Sequence, residues 1–235
     1  MLPLKDNVPT RTFPVVTVGL IVVNAIVWIW EWKTGVNQDV FHYGYYPCTV
    51  HGPCTEPATL FHHVTWYFAV FSSMFMHGGW IHIGGNMLFL WIFGNNVEDA
   101  FGRVRFLLWY IAAGLVAIVV QTVVTLWFST PAGASIPNVG ASGAIAGVLG
   151  AYLVMLPRAK VLTLFIIVFL IFLREIPAIV FLGVWFLFQL WDGGFAVLHP
   201  QAGGGVAFFA HIGGFIFGVS TVYLVAVRRP LRPTW

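Results

Sequence analysis

A serine hydroxyl becomes a nucleophile only when a base within hydrogen-bond reach takes its proton, and a neutral imidazole suits that task near neutral pH. The sequence offers both groups within apolar runs. Ser142 lies in Gly140-Ala141-Ser142-Gly143, and His211 in Ala210-His211-Ile212-Gly213-Gly214. Polar and ionisable side chains inside membrane-length apolar runs are costly and mark functional positions. The others that interrupt such runs are His77, His82 and Asn86. The four-residue step from His82 to Asn86 puts both on one helix face, where two hydrogen-bonding groups converge. These residues predict a Ser–His dyad, with Ser142 as nucleophile and His211 as general base. No Asp or Glu in the same runs orients the histidine as a third member would, so packing is expected to orient it. A Gly-Ala-Ser-Gly run alone is more often helix packing than catalysis. The dyad reading rests on the pieces falling in separate runs at similar depth.

The elements that must hold these residues are membrane helices. Of 235 residues, 59% are hydrophobic and 8% charged, against about 45–50% apolar and 25% charged in soluble domains. About 20 apolar residues make one bilayer crossing. Runs at 13–30, 74–94, 106–128, 142–156, 161–191 and 206–227 therefore predict a single domain over 1–235, an all-α bundle of six spans. The run after the polar N-terminus lacks a small-residue cleavage site and reads as a first span. The fifth run is interrupted by Arg174, Glu175 and Pro177; it is read as a membrane-associated segment at 161–173 followed by one span at 176–191. With a cytoplasmic N-terminus, six spans put Lys5, Arg11, Arg103, Arg105, Arg158, Lys160, Arg228, Arg229 and Arg232 on one side against Lys33 on the other, a positive-inside pattern. Both termini are then cytoplasmic, in what is expected to be a bacterial plasma membrane. The net charge of +3 belongs to that topology, and no nucleic acid is expected as a partner.

Close approach of helices is written into the same segments. Ser142, Ala146 and Gly150 form a small-residue stripe, and Gly214 and Gly218 have the GxxxG spacing, both of which let backbones meet. The stretch from Trp32 to Thr65 is the longest polar one. It is expected outside and partly embedded. His42, His51, His62 and His63 within it lack zinc-ligand spacing apart from the adjacent pair, so neither metal nor cofactor is expected. Cys48 and Cys54 leave a disulfide and two free thiols both open.

Together, His77, His82-x-x-x-Asn86, Gly140-Ala141-Ser142-Gly143 and Ala210-His211-x-x-Gly213-Gly214-x-x-x-Gly218 resemble the rhomboid intramembrane serine proteases, over nearly the whole chain. The resemblance implies Ser142 as nucleophile, His211 as base, and His82, Asn86 and Gly140 as oxyanion or substrate-binding residues. It also implies membrane-protein substrates with a transmembrane segment, entering from the lipid between spans two and five past Trp91, Trp185 and Phe188. His77 and an outer loop at 193–205 are expected to admit water or cap the site. The Trp-Arg pair that many rhomboids carry before span two is absent from Trp66-Tyr67-Phe68-Ala69-Val70. A catalytically silent relative and a histidine-based transporter are the rival functions.

Overall fold

The computed structural model describes residues 1–56, 58–60, 63–167, 169–199 and 207–234. A strand, β1 (Leu2–Asp6), precedes α1 (Val15–Thr34) and α2 (Val36–Tyr43). Next come α3 (Trp66–Ser72), α4 (Trp80–Phe101), α5 (Arg103–Phe128), the short α6 (Pro131–Ala134) and α7 (Ser142–Met155). A hairpin of β2 (Lys160–Ile167) and β3 (Leu170–Pro177) leads into α8 (Ala178–Leu198), and α9 (Phe208–Val225) closes the order. The chain is mostly helical.

Four helices among the described residues are long and apolar enough to cross a membrane: α1, α5, α8 and α9. Their outward faces carry apolar side chains such as Ile26, Leu108, Trp191 and Leu224, which are 61–83% exposed; so much exposed apolar surface suits lipid and not water. The other two helices on expected spans fall short for different reasons, α4 by its polar residues and α7 by its length. Helix α4 has 22 residues but includes His82, Asn86, Asn95, Asn96, Glu98 and Asp99. Helix α7 has only 14 residues, about 21 Å at 1.5 Å each, against a hydrocarbon core of about 30 Å. Every residue of α7 from Gly143 to Tyr152 is buried, so this helix is the centre of the bundle.

Helices α7 and α9 meet backbone to backbone. A Cβ added at Gly214 would lie 2.0 Å from the Gly143 carbonyl oxygen, and one at Gly218 would lie 2.0 Å from that of Gly147. The small-residue face that α7 turns to α9 is therefore Gly143 and Gly147, one residue on from the expected Ser142 and Ala146, together with Gly150 of the expected stripe, where an added Cβ would lie 2.2 Å from the Phe215 carbonyl oxygen. That rotation leaves Ser142 at the edge of the contact.

The expectation of an all-α chain is corrected by a three-stranded antiparallel sheet in the order β1-β2-β3. The segment at 161–173, read above as membrane-associated, supplies most of a hairpin, paired from Lys160↔Pro177 to Ile167↔Leu170. Val161 and Thr163 alternate inward, both fully buried, as period two requires. Arg174 and Glu175 lie on exposed β3 and interrupt no span. Helix α8 continues through Asp192-Gly193-Gly194 to Leu198, so the first part of the expected loop at 193–205 is helical; its residues 200–205 lie outside the described residues.

The first residues of the chain, those after α9 up to Thr234 and the α4–α5 turn gather at one end of the bundle. Gly102, at φ 78, adopts a backbone conformation that side chains disfavour and folds α5 back from α4. Nearby, Glu98 accepts from the N–H groups of Val16 (3.0 Å) and Thr17 (2.7 Å), supplying from another helix the acidic cap that α1 lacks. Arg11 pairs with Asp99 at 2.9 Å and donates to the Arg229 carbonyl. Asp6 accepts from Asn96 of α4 (2.8 Å) and from the Tyr152 hydroxyl of α7 (2.6 Å). Helices α4, α7 and α9 all end here, so all three begin at the opposite end.

Candidate active site

At that opposite end, Ser142 is the first residue of α7 and His211 lies in the first turn of α9. The glycine contacts hold these two helices close enough for side chains 69 positions apart to bond directly: Ser142 Oγ lies 2.8 Å from His211 Nε2. The ring of Trp185 from α8 lies against the imidazole, centroids 5.9 Å apart. The start of α9 is itself held by α5, because the Ala210 N–H donates to Gln121 Oε1 at 3.1 Å.

His82 and Asn86 share a face of α4, as their spacing predicts, and line with Ser142, His211 and Trp185 a cavity of about 690 Å³. Gly140 is the clearance between them. It sits at φ 128, and a Cβ there would lie 2.8 Å from His82 Nε2 and 3.6 Å from Ser142 Oγ. Its N–H donates to the Ser73 carbonyl at 2.8 Å, so it brings clearance to the site and no free donor. His82 Nδ1 accepts from the Gly78 N–H at 3.3 Å, which leaves Nε2–H as its donor. Asn86 is buried, and its Nδ2 donates to no group among the described residues.

Two expectations change. His77 does not line the cavity. It is fully buried behind His82, rings 5.1 Å apart, with its N–H donating to the buried Glu31 carboxylate of α1 at 3.2–3.3 Å. Packing alone does not orient His211 either. Gln189 of α8 places Oε1 2.7 Å from His211 Nδ1. Nothing in the sequence tied Gln189 to the site beyond its polarity at the far end of an apolar run.

The first loop is tied down without an arginine. Cys48 and Cys54 form a disulfide, and Tyr45 exchanges backbone hydrogen bonds with Asn138 at 2.7 and 3.1 Å. The Val64 N–H donates to the His42 carbonyl, and Ser72 Oγ to that of Tyr43. Val40 and Phe41 thereby form part of the cavity wall. His62 lies outside the described residues. Among the described residues no three His, Cys, Asp or Glu side chains gather to hold a metal ion.

A family model described as the Rhomboid domain matches residues 64–228. The chain is 30% identical over 162 residues to Rhomboid protein 1, mitochondrial, of Saccharomyces cerevisiae, covering 67% of this chain and 41% of that one. It is 29% identical over 174 residues to the human Presenilin-associated rhomboid-like protein, mitochondrial, covering 69% and 40%. It is 37% identical over 87 residues to Rhomboid protease GluP of Bacillus subtilis, covering 37% and 15%. The chain thus spans about two fifths of the length of the mitochondrial relatives. Their names overturn the expected bacterial plasma membrane, and with it the cytoplasmic label for the termini.

Proposed function

The chain belongs to the rhomboid family, and on that premise we propose that it is a serine endopeptidase that cuts membrane-protein substrates in or near their transmembrane segments. Six helices cross the bilayer in this reading, α4 and α7 among them despite their polar and short character, because neighbouring helices and not lipid surround their polar groups. The mitochondrial names of two relatives favour a mitochondrial membrane as the setting.

The observation that carries the proposal is the 2.8 Å hydrogen bond between Ser142 Oγ and His211 Nε2. Ser142 attacks the scissile carbonyl while His211 takes its proton and later returns it to the leaving amine. Negative charge then grows on the carbonyl oxygen, where preorganised donors are worth most in a site with little water. Asn86 Nδ2–H and His82 Nε2–H serve as side-chain donors. The Ser142 N–H belongs to the first turn of α7, whose amides have no intrahelical partner, and adds a third. Helices α4, α7 and α9 all begin at this end, so their positive dipole ends favour the same charge. Substrate enters between α4 and α8, past Trp185 and Phe89, which line the cavity.

Cleavage of a model single-span substrate in proteoliposomes tests this. Ser142→Ala and His211→Ala are each expected to abolish cleavage while the protein stays folded, and the double variant to cost about as much as either alone, as residues acting as a unit do. Either single variant turning over near the wild-type rate sinks the dyad.

A further inference from the structure

Gln189 stands on a third helix, is buried, and presents its amide to the imidazole from the side away from Ser142. An amide oxygen and an amide nitrogen look alike by shape, so the network decides which is which. The Gln189 Nε2 group lies 3.5 Å from the Trp185 carbonyl oxygen one turn earlier in α8, and only the nitrogen can donate there. The oxygen therefore faces His211, and His211 Nδ1, 2.7 Å away, must carry the hydrogen. A neutral imidazole with its proton on Nδ1 has a bare Nε2, which is the atom that accepts from Ser142.

We propose that Gln189 is the positioning residue of the proteolytic site, a neutral third member that locks His211 in the Nδ1–H tautomer and aims Nε2 at Ser142. This rests on the Ser142–His211 reading. The donors point one way along the row, from Ser142 O–H to His211 Nε2, from His211 Nδ1–H to Gln189 Oε1, and from Gln189 N–H to the Trp185 carbonyl. Successive bonds polarise one another in such a row. The wrong tautomer would aim a hydrogen at the serine and leave no base, which is how loss of an orienting acceptor slows a triad. An uncharged acceptor performs this task without placing a bare carboxylate in a low-dielectric site, where it would cost several kcal/mol unless paired. Helix α8 also lines the cavity through Trp185, so the residue that sets the base stands one turn from the substrate wall.

The experiment combines kinetics with nitrogen-15 NMR of histidine-labelled protein in lipid at neutral pH, the His211 signals being assigned by their loss in His211→Ala. The wild type is expected to show Nδ1 protonated and Nε2 bare. Gln189→Met, which keeps the length and removes the acceptor, is expected to lower kcat about 10- to 100-fold with KM within about twofold, and to lose the Nδ1–H signal. Gln189→Glu keeps an acceptor at the same atom and is expected to run at least about fivefold faster than Gln189→Met. A wild-type imidazole protonated mainly on Nε2 overturns the proposal whether or not any variant folds. So does wild-type kcat in Gln189→Met, or a folded Gln189→Glu as slow as Gln189→Met. Cleavage that survives Ser142→Ala overturns the dyad itself, whereas an inert Ser142→Ala beside a fully active Gln189→Met overturns only the role of Gln189.

Discussion

Asn86 places a buried amide nitrogen against the cavity with no acceptor among the described residues, and an unsatisfied buried donor costs roughly 1–3 kcal/mol. Such a cost persists where the group serves another partner, which under the proposed function is the charge that develops on a substrate carbonyl. Asn86→Ala is therefore expected to lower kcat by about 10- to 1000-fold, with residual activity because His82 and the Ser142 N–H remain, and to leave the melting temperature unchanged or higher. A structural Asn86 would give the reverse, a lower melting temperature with unchanged turnover per folded molecule; both are measured on the same detergent-solubilised protein. Ser142, His211, His82 and Asn86 are legible in the sequence because each is a lone polar group in an apolar run. Gln189 and Glu31 are not. Gln189 stands three residues before Asp192, and Glu31 two before Lys33, so both read as the polar fringe of a span, and only the tertiary fold shows them turned inward.

At the scale of elements, the Ser142–His211 hydrogen bond exists because α7 and α9 touch through glycine. The carbonyl oxygens of Gly143 and Gly147 occupy the space that a side chain at Gly214 or Gly218 would need, and backbone cannot move aside as a flexible side chain can. Gly214→Ala and Gly218→Ala are expected to force the helices apart, costing about 1–3 kcal/mol of overpacking strain and slowing cleavage by lengthening the Ser142–His211 approach. Gly19→Ala in α1, where an added Cβ meets nothing within 4 Å, is the matched control. Equal melting temperatures and turnover for Gly214→Ala and Gly19→Ala would remove the contact from the explanation. The GxxxG spacing made this pair of helices readable. The sheet was not readable, for a definite reason: the apolar run at 161–173 has no period that separates strand from helix, and one edge of β2 pairs with Leu2–Asp6, about 160 residues away. The β-branched residues Val161, Thr163, Ile166, Ile167 and Ile171 were the available signal.

Across the whole molecule, work is divided between two ends. The end with the site keeps donors uncommitted and a cavity open, while the other end commits its polar groups to one another and so fixes where α4 and α7 begin, a bundle's length away. Asp6 is the node of that clamp, joining β1 to Asn96 of α4 and Tyr152 of α7. Burial pushes its carboxyl up from 3.8 to about 6, although the Tyr152 hydrogen bond works against the rise. A carboxyl whose pKa is higher folded than unfolded binds its proton more tightly in the folded state, so the stability it contributes is full below about 3.8 and is lost as pH rises through about 6. Asp6 is partly exposed, which trims the effect to roughly 1–2 kcal/mol, a few degrees in melting temperature for a chain of this size. Asp6→Asn imitates the protonated acid in shape and keeps an oxygen for Tyr152. Its melting temperature is expected to exceed that of the wild type by a few degrees at pH 7.5, with the gap closing as the pH is lowered to 4. Taking the difference between the two proteins cancels every other group that titrates in the window. Parallel melting curves across that range, or a variant less stable at every pH, would show that the Asp6 charge is an asset to the clamp and not a strain on it.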